Sequence, residues 1–311
     1  MSATPVEPGF AVVAVDGSEE GYAAVAFAAK EAVRRGLELH LAHVMPVYLP
    51  VGPLLMPPDE VGMGAYASET MASAARAALE AAPQVVVTTH VLAGGRVAEI
   101  VDLARRARFV VVGRRHASAL DRAWSGGTLD GIVSRAGCPV LVVPDVKTRE
   151  GASPRVVLGY KSAAHADELF EAGFRAADEL GAEIEVVHGW RLAGGYDDII
   201  ARRVSEPTWN REQKTEIWRL LEPWQTAYPH VRVRIQVVHE YPVRALIEAS
   251  RNADRLVLVK PLHGSVVHHL GRTARGTLRF AQCPVEVVPS KPRDDLTMPP
   301  VRVEHEGELV P

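Results

Sequence analysis

The chain has 311 residues, 47 % of them apolar and 23 % charged, with a formal net charge of −3. This is the balance of a soluble globular protein long enough for two domains. It excludes a global basic field for nucleic acid or an anionic membrane, and no apolar run is long enough to span a bilayer.

Met1 to Pro8 lacks the basic cluster and apolar core of a signal peptide, and Cys138 and Cys283 stand far apart; a reduced, cytoplasmic protein is expected. Phe10 to Val15 reads as a continuous apolar strand of a parallel sheet buried on both faces. Ser18, followed by Glu19 and Glu20, is an N-cap with acids in the first helical turn, and Gly36 ends that helix. Glu38 to Val44 is a second strand. A proline-rich apolar insert, Pro46 to Gly64, follows it. Val85 to Leu92 is a third strand, Val97 to Ala107 a helix, Phe109 to Val112 a fourth strand and Val140 to Val143 a fifth.

The order then begins again. Cys138-Pro139-Val140-Leu141-Val142-Val143-Pro144 returns 145 positions later as Cys283-Pro284-Val285-Glu286-Val287-Val288-Pro289. At the same offset Gly126, Thr128, Gly131 and Ala136 meet Gly271, Thr273, Gly276 and Ala281, and His43 meets His188. Ser18 matches Ser162 at an offset of 144, which puts an extra residue in the second copy's first helix. In that alignment Tyr160 and Lys161 replace Asp16 and Gly17, and Lys260 stands in the place of Gly113. The reading is two tandem doubly wound parallel-sheet α/β domains of Rossmann-like type, 8–145 and 154–289. Val146 to Ser153 is a polar linker, and 290–311 reads as a disordered tail rich in proline and charge. The last strands, Val140 to Val143 and Val285 to Val288, are expected to lie side by side about a pseudo-two-fold axis, covering an exposed edge.

Ligands in such sheets bind outside the carboxyl ends of the strands, where the strand order reverses. Asp16 and Gly113 end the first and fourth strands there. Gly126-Gly127-Thr128 is expected to open the last helix, whose free N–H groups suit phosphate oxygens. Two readings stay open: Asp16 bonds a base or sugar, or it only caps the following helix; the glycines admit a ligand, or they only make tight turns. Arg114 and Arg115 either grip phosphate or form an exposed basic turn. His263, His268 and His269 read as a solvated loop rather than a metal site. Trp190 to Tyr228 holds four of the five tryptophans and reads as a second apolar insert. It either covers a cleft or partner, or packs between the two repeats. There is no Gly-x-Ser-x-Gly elbow, no Walker lysine and no paired carboxylates in an acid–base setting.

The pattern Val13-Ala14-Val15-Asp16-Gly17-Ser18, then Val110-Val111-Val112-Gly113, then Cys-Pro-Val-x-Val-Val-Pro, twice over, resembles the universal stress protein family in its tandem form. Nucleotide-binding members carry G-x2-G-x9-G-(S/T). Gly113, His116, Gly126 and Gly127 occupy that frame, with His116 at the second glycine and Gly127 at the Ser/Thr position, next to Thr128. The resemblance implies that Asp16 contacts adenine, that Val44 lines the base pocket, and that Gly113, Gly126 and Gly127 surround ribose and phosphates of ATP. It implies a stress-response module that binds or senses adenine nucleotide through domain one, with hydrolysis at most very slow. The rival reading is a partner-binding protein with both pockets degenerate. Expected partners are adenine nucleotide and an unknown protein, with neither nucleic acid nor membrane. The chain is expected to be a pseudo-dimer within itself, with a homodimer left open.

Overall fold

A computed structural model describes residues 9–46, 60–114, 122–145, 153–191, 206–260 and 270–290. Its strands are β1 (Phe10–Ala14), β2 (Glu38–Met45), β3 (Val87–Ala93), β4 (Phe109–Arg114), β5 (Val140–Pro144), β6 (Arg155–Gly159), β7 (Glu183–Gly189), β8 (Val233–Val238), β9 (Arg255–Lys260) and β10 (Val285–Pro289). Its helices are α1 (Glu19–Arg34), α2 (Glu60–Ala81), α3 (Arg96–Ala104), α4 (Arg122–Arg135), α5 (Ala166–Leu180), α6 (Glu206–Ala227), α7 (Pro242–Ser250) and α8 (Arg272–Phe280).

The ten strands form one sheet in the order β3-β2-β1-β4-β5-β10-β9-β6-β7-β8. Every pairing is parallel except the central one, where β5 and β10 run antiparallel with Val285 opposite Val142 and Val287 opposite Val140. The expected edge-to-edge junction is therefore present. Val140, Val142, Val285 and Val287 are almost fully buried there, each worth roughly 1.5–3 kcal/mol of transfer energy.

Period-two alternation sends the strand side chains to opposite faces. On one face α3, α4, α7 and α8 cover a continuous apolar core that crosses the junction. On the other face, α1 and α2 cover one core and α5 and α6 a second. Between those two cores lies an ionic group, buried Glu31, Arg255 and Glu286 with half-buried Arg35.

Local chemistry explains the element ends. Ser18 is extended (φ −81°, ψ 160°), and its Oγ accepts from the Gly21 N–H at 3.1 Å, capping α1. Gly36 follows that helix at φ +63°, a conformation that disfavours other residues. The second tryptophan-rich stretch departs from the expectation of an insert. Most of it is α6, whose Ile217 and Leu221 are fully buried against the second repeat's own sheet, with Trp224 stacked on Phe174 at 6.1 Å. Its apolar residues thus serve the second repeat's own core, while Trp209 and Trp218 stay exposed. The linker up to residue 152, residues 47–59 of the first insert and residues 291–311 of the tail lie outside the described residues.

Candidate functional site at the carboxyl edge of the first repeat

In the first repeat β1 lies between β2 and β4, so the strand order reverses beside it. The structure brings Asp16, Val44 and Gly113 to the carboxyl ends of these three adjacent strands. Asp16 is exposed, and its Oδ1 accepts from Ser18 N–H at 3.0 Å and Ser18 Oγ at 2.5 Å. It thereby steadies the cap of α1. Gly17 sits at φ +81° with Tyr66 above it: a Cβ there would lie 2.6 Å from Tyr66 Oη. Val44 is buried in the core beneath α3. At Gly113 a Cβ would fall 2.8 Å from the Glu20 carbonyl oxygen, so this glycine lets the first turn of α1 press on β4.

Residues that sequence reasoning missed complete the edge. His43 is buried, and its Nδ1 stands 2.8 Å from the Val15 carbonyl. A carbonyl only accepts, so Nδ1 carries the proton. His188 repeats the bond to the Tyr160 carbonyl at 3.1 Å. Exposed Tyr66 faces His43 at 6.1 Å between ring centroids, and buried Thr70 stands beside Gly17. The only sequence signal was the recurrence of His43 as His188; Tyr66 and Thr70 come from a helix adjoining the insert.

The last helix differs from expectation. Among the described residues α4 already runs from Arg122, ahead of the glycine pair. Gly126 and Gly127 fall in its second turn, and half-buried Thr128 follows them. The glycine pair is expected to open the helix, yet here the helix runs through it. In the second repeat Gly271 does stand at the N-cap, ahead of Arg272. His116, Arg115, His263, His268 and His269 lie outside the described residues. Among the described residues no group of three or more His, Cys, Asp or Glu is placed to hold a metal ion.

Strand register corrects the comparison between repeats. Glu38 pairs with Phe10 and Glu183 with Arg155, so the offset at the first strand is 145, as at the last strand. Tyr160 therefore stands at the place of Val15, and Lys161 at that of Asp16. The serine match misled because Ser162 makes no side-chain cap. Likewise Gly113 lies opposite Val143 and Val259 opposite Val288. The counterpart of Gly113 is Val259, and Lys260 is the counterpart of Arg114. Tyr160 is buried and stacked with Phe170, its hydroxyl without a hydrogen bond. Burial, with Glu216 nearby, pushes that phenol up to about 12.

Arg114 and Lys260 do not form an exposed turn or crowd a pocket. Both are buried, and each reaches into the opposite repeat. Arg114 Nη1 donates to the Leu278 carbonyl at 2.9 Å. Lys260 Nζ donates to the carbonyls of Val133, Ser134 and Ala136 at 2.9, 3.2 and 2.6 Å. Val133 and Leu278 are themselves repeat mates, in the last turns of α4 and α8. Cations at helix carboxyl ends satisfy orphan carbonyls and oppose the dipole. Burial lowers both groups, Lys260 to about 8. Burial also pushes the Cys138 thiol up to about 11 and that of Cys283 to about 12, as suits inert core residues.

The model of the universal stress protein family matches this chain twice, at residues 11–144 and 153–289. Universal stress protein Rv2005c of Mycobacterium tuberculosis is 26 % identical over 284 residues, covering 89 % of this chain and 95 % of the relative. Universal stress protein Rv1996 of the same organism is 28 % identical over 326 aligned positions, covering 94 % and 98 %. Among solved structures, a universal stress protein from Archaeoglobus fulgidus superposes with a TM-score of 0.68 at 19 % identity, over 90 % of this chain and 96 % of that one; this likeness is one of fold.

Proposed function

This chain belongs to the universal stress protein family, with the family's fold present twice, and from that premise we propose that it is a stress-response module that binds an adenine nucleotide, ATP, through its first repeat. We take the domains as 8–145 and 154–289 and the protein as cytoplasmic, acting by binding rather than turnover. No helix among the described residues is long and apolar enough to cross a membrane.

The observation that carries this reading is the contrast between the two carboxyl edges. The first presents exposed Asp16 with half-buried Gly17 and Gly113 around the reversal of strand order. The second has Lys161 for Asp16, buried Tyr160 for Val15 and Val259 for Gly113. Bulk and positive charge thus replace bare backbone and a carboxylate only in the second repeat. ATP binding measured by calorimetry should weaken at least tenfold, about 1.4 kcal/mol, in Asp16→Ala. It should be unchanged in Lys161→Ala. Equal losses in the two variants would overturn the assignment to the first repeat.

One observation favours the second reading, a partner-binding protein without nucleotide. Asp16 bonds Ser18, and Gly113 accommodates α1, so both residue types have structural uses. Mass spectrometry of small molecules retained by the native protein separates the two. Retained adenine nucleotide supports the first. Its absence, with no ATP binding by calorimetry, leaves the second.

A further inference from the structure

The junction between the repeats combines two kinds of polar contact, and they obey the pseudo-two-fold axis differently. Leu141 and Glu286 are repeat mates, and they lie directly opposite each other in the β5–β10 ladder, so the axis passes between them. Arg114 and Lys260 obey that axis: two cations at equivalent places, bonded to equivalent helix ends. Such contacts would form equally well between two copies of either repeat.

The ionic group on the α1–α5 face does not obey it. Arg255, 1 % exposed, gives Nη2 to Glu31 Oε1 at 2.8 Å and Nη1 to Glu286 Oε2 at 3.1 Å. Arg35 stands 2.6 Å from Glu31 Oε1, 3.2 Å from Glu179 Oε2 and 3.9 Å from Glu286 Oε2, and Arg34 also pairs with Glu31. Strand register makes Phe109 the mate of Arg255. Gly36 and Gly181, which follow the matching helices, make Ala176 the mate of Glu31 and Leu180 the mate of Arg35. Four charged positions thus have four apolar mates. Stability alone does not account for this: Arg255 Nε and Glu286 Oε1 are buried without hydrogen bonds. Apolar replacements for such a group are often neutral or stabilising.

We propose that this ionic group is a pairing code, which makes the β5 edge accept β10 of the same chain and reject a second copy of either repeat. Two second repeats joined through β10 would put Glu286 against Glu286 on the axis, each with its own Arg255 but neither Arg255 with a Glu31 to reach. Two first repeats joined through β5 would leave Glu31 to Arg34 and Arg35 of its own repeat, with no Arg255 to reach across to it. Only the mixed pair makes ion pairs across the junction, Arg255 with Glu31 and Arg35 with Glu179. The chain closes on itself, and its central edge is unavailable for assembly with like domains.

The test uses full-length chains carrying Leu141→Cys, which puts a thiol on the axis. Two such thiols meet only when β5 of one chain pairs with β5 of another, within reach of a disulfide. The parent is compared with a variant whose four charges become their apolar mates: Glu31→Ala, Arg35→Leu, Arg255→Phe and Glu286→Leu. Each is refolded at several concentrations, oxidised and measured for covalent dimer, with chains lacking Leu141→Cys as background. Once the contacts are equal, only the linker favours in-chain pairing, with an effective concentration on the order of millimolar. Refolding at a few tenths millimolar should then give at least ten times more dimer than the parent gives. Equal dimer in both, or a folded variant with none above background, overturns the proposal. If the fourfold variant does not fold by circular dichroism, Arg255→Phe with Glu286→Leu decides by the same measure. Failure of both to fold overturns it too, since a code of choice is replaceable by its mates.

Discussion

At the scale of single residues, Gly113 shows how one sequence signal serves two explanations. A bare backbone at the end of β4 suits a bound phosphate, and it equally suits the Glu20 carbonyl that lies where a Cβ would fall. The second contact is in the fold itself, so Gly113→Ala should cost about 1–3 kcal/mol through overpacking. Urea unfolding without nucleotide measures it. A loss under about 0.5 kcal/mol would mean that α1 yields easily and that the glycine is not needed for packing. Asp16 shows the same overlap, since the carboxylate expected to meet adenine also holds the serine that caps α1.

At the scale of elements, the junction works by helix ends. The carboxyl ends of α4 and α8 are not left to water; a cation from the other repeat closes each. Lys260 carries a pH signature, because burial holds it near 8 while an unfolded lysine titrates near 10.5. Between those values the unfolded chain binds the proton more than the folded chain does. Stability therefore rises with pH from about 8 towards 10.5, and burial of the charged form opposes folding fully below about 8. Denaturant midpoints at pH 7.5, 9 and 10 should show that rise in the parent and lose it in Lys260→Met. A rise of the same size in the variant would assign it to another group.

At the scale of the whole molecule, one sheet crosses both repeats, but the two faces join them by different means. One face is a continuous apolar core; the other is closed by charge. For Glu31, burial alone would raise the carboxyl, but Arg255, Arg35 and Arg34 prevail and hold it below its ordinary value. Its stabilising contribution is present above the ordinary carboxylate range and is lost as pH falls through the lowered value. Arg255→Met strands Glu31 and Glu286 without their central cation, and should cost about 3–5 kcal/mol at neutral pH. The penalty should shrink towards pH 4.5, where stranded carboxylates take up protons. A penalty that does not change with pH would point to lost packing rather than lost charge.

Local and repeating features were legible in the sequence. The strands announced themselves as apolar runs, Ser18 as a cap, Gly36 as a stop, and the recurrence of Cys-Pro-Val placed the two repeats and their central strands. These are decided by neighbours along the chain or by buried faces whose pattern any reader of the sequence meets. The register between repeats was less legible, because serine matched serine across a loop, while hydrogen bonds to β2 and β7 fix which residues are equivalent. Arg114 read as a phosphate grip or an exposed basic turn and Lys260 as a charge in the place of Gly113, since nothing along the chain places them within reach of a helix end more than a hundred residues away. Glu286 interrupts an apolar strand, which is a visible signal, but its meaning required Arg255 and Glu31 to be brought together. The sequence by itself determined the fold, the doubling and the residues offered at the carboxyl edge, because burial and local propensity are written into composition and order. Only tertiary structure decided which charges face which, because a buried charge is defined by its partners in space.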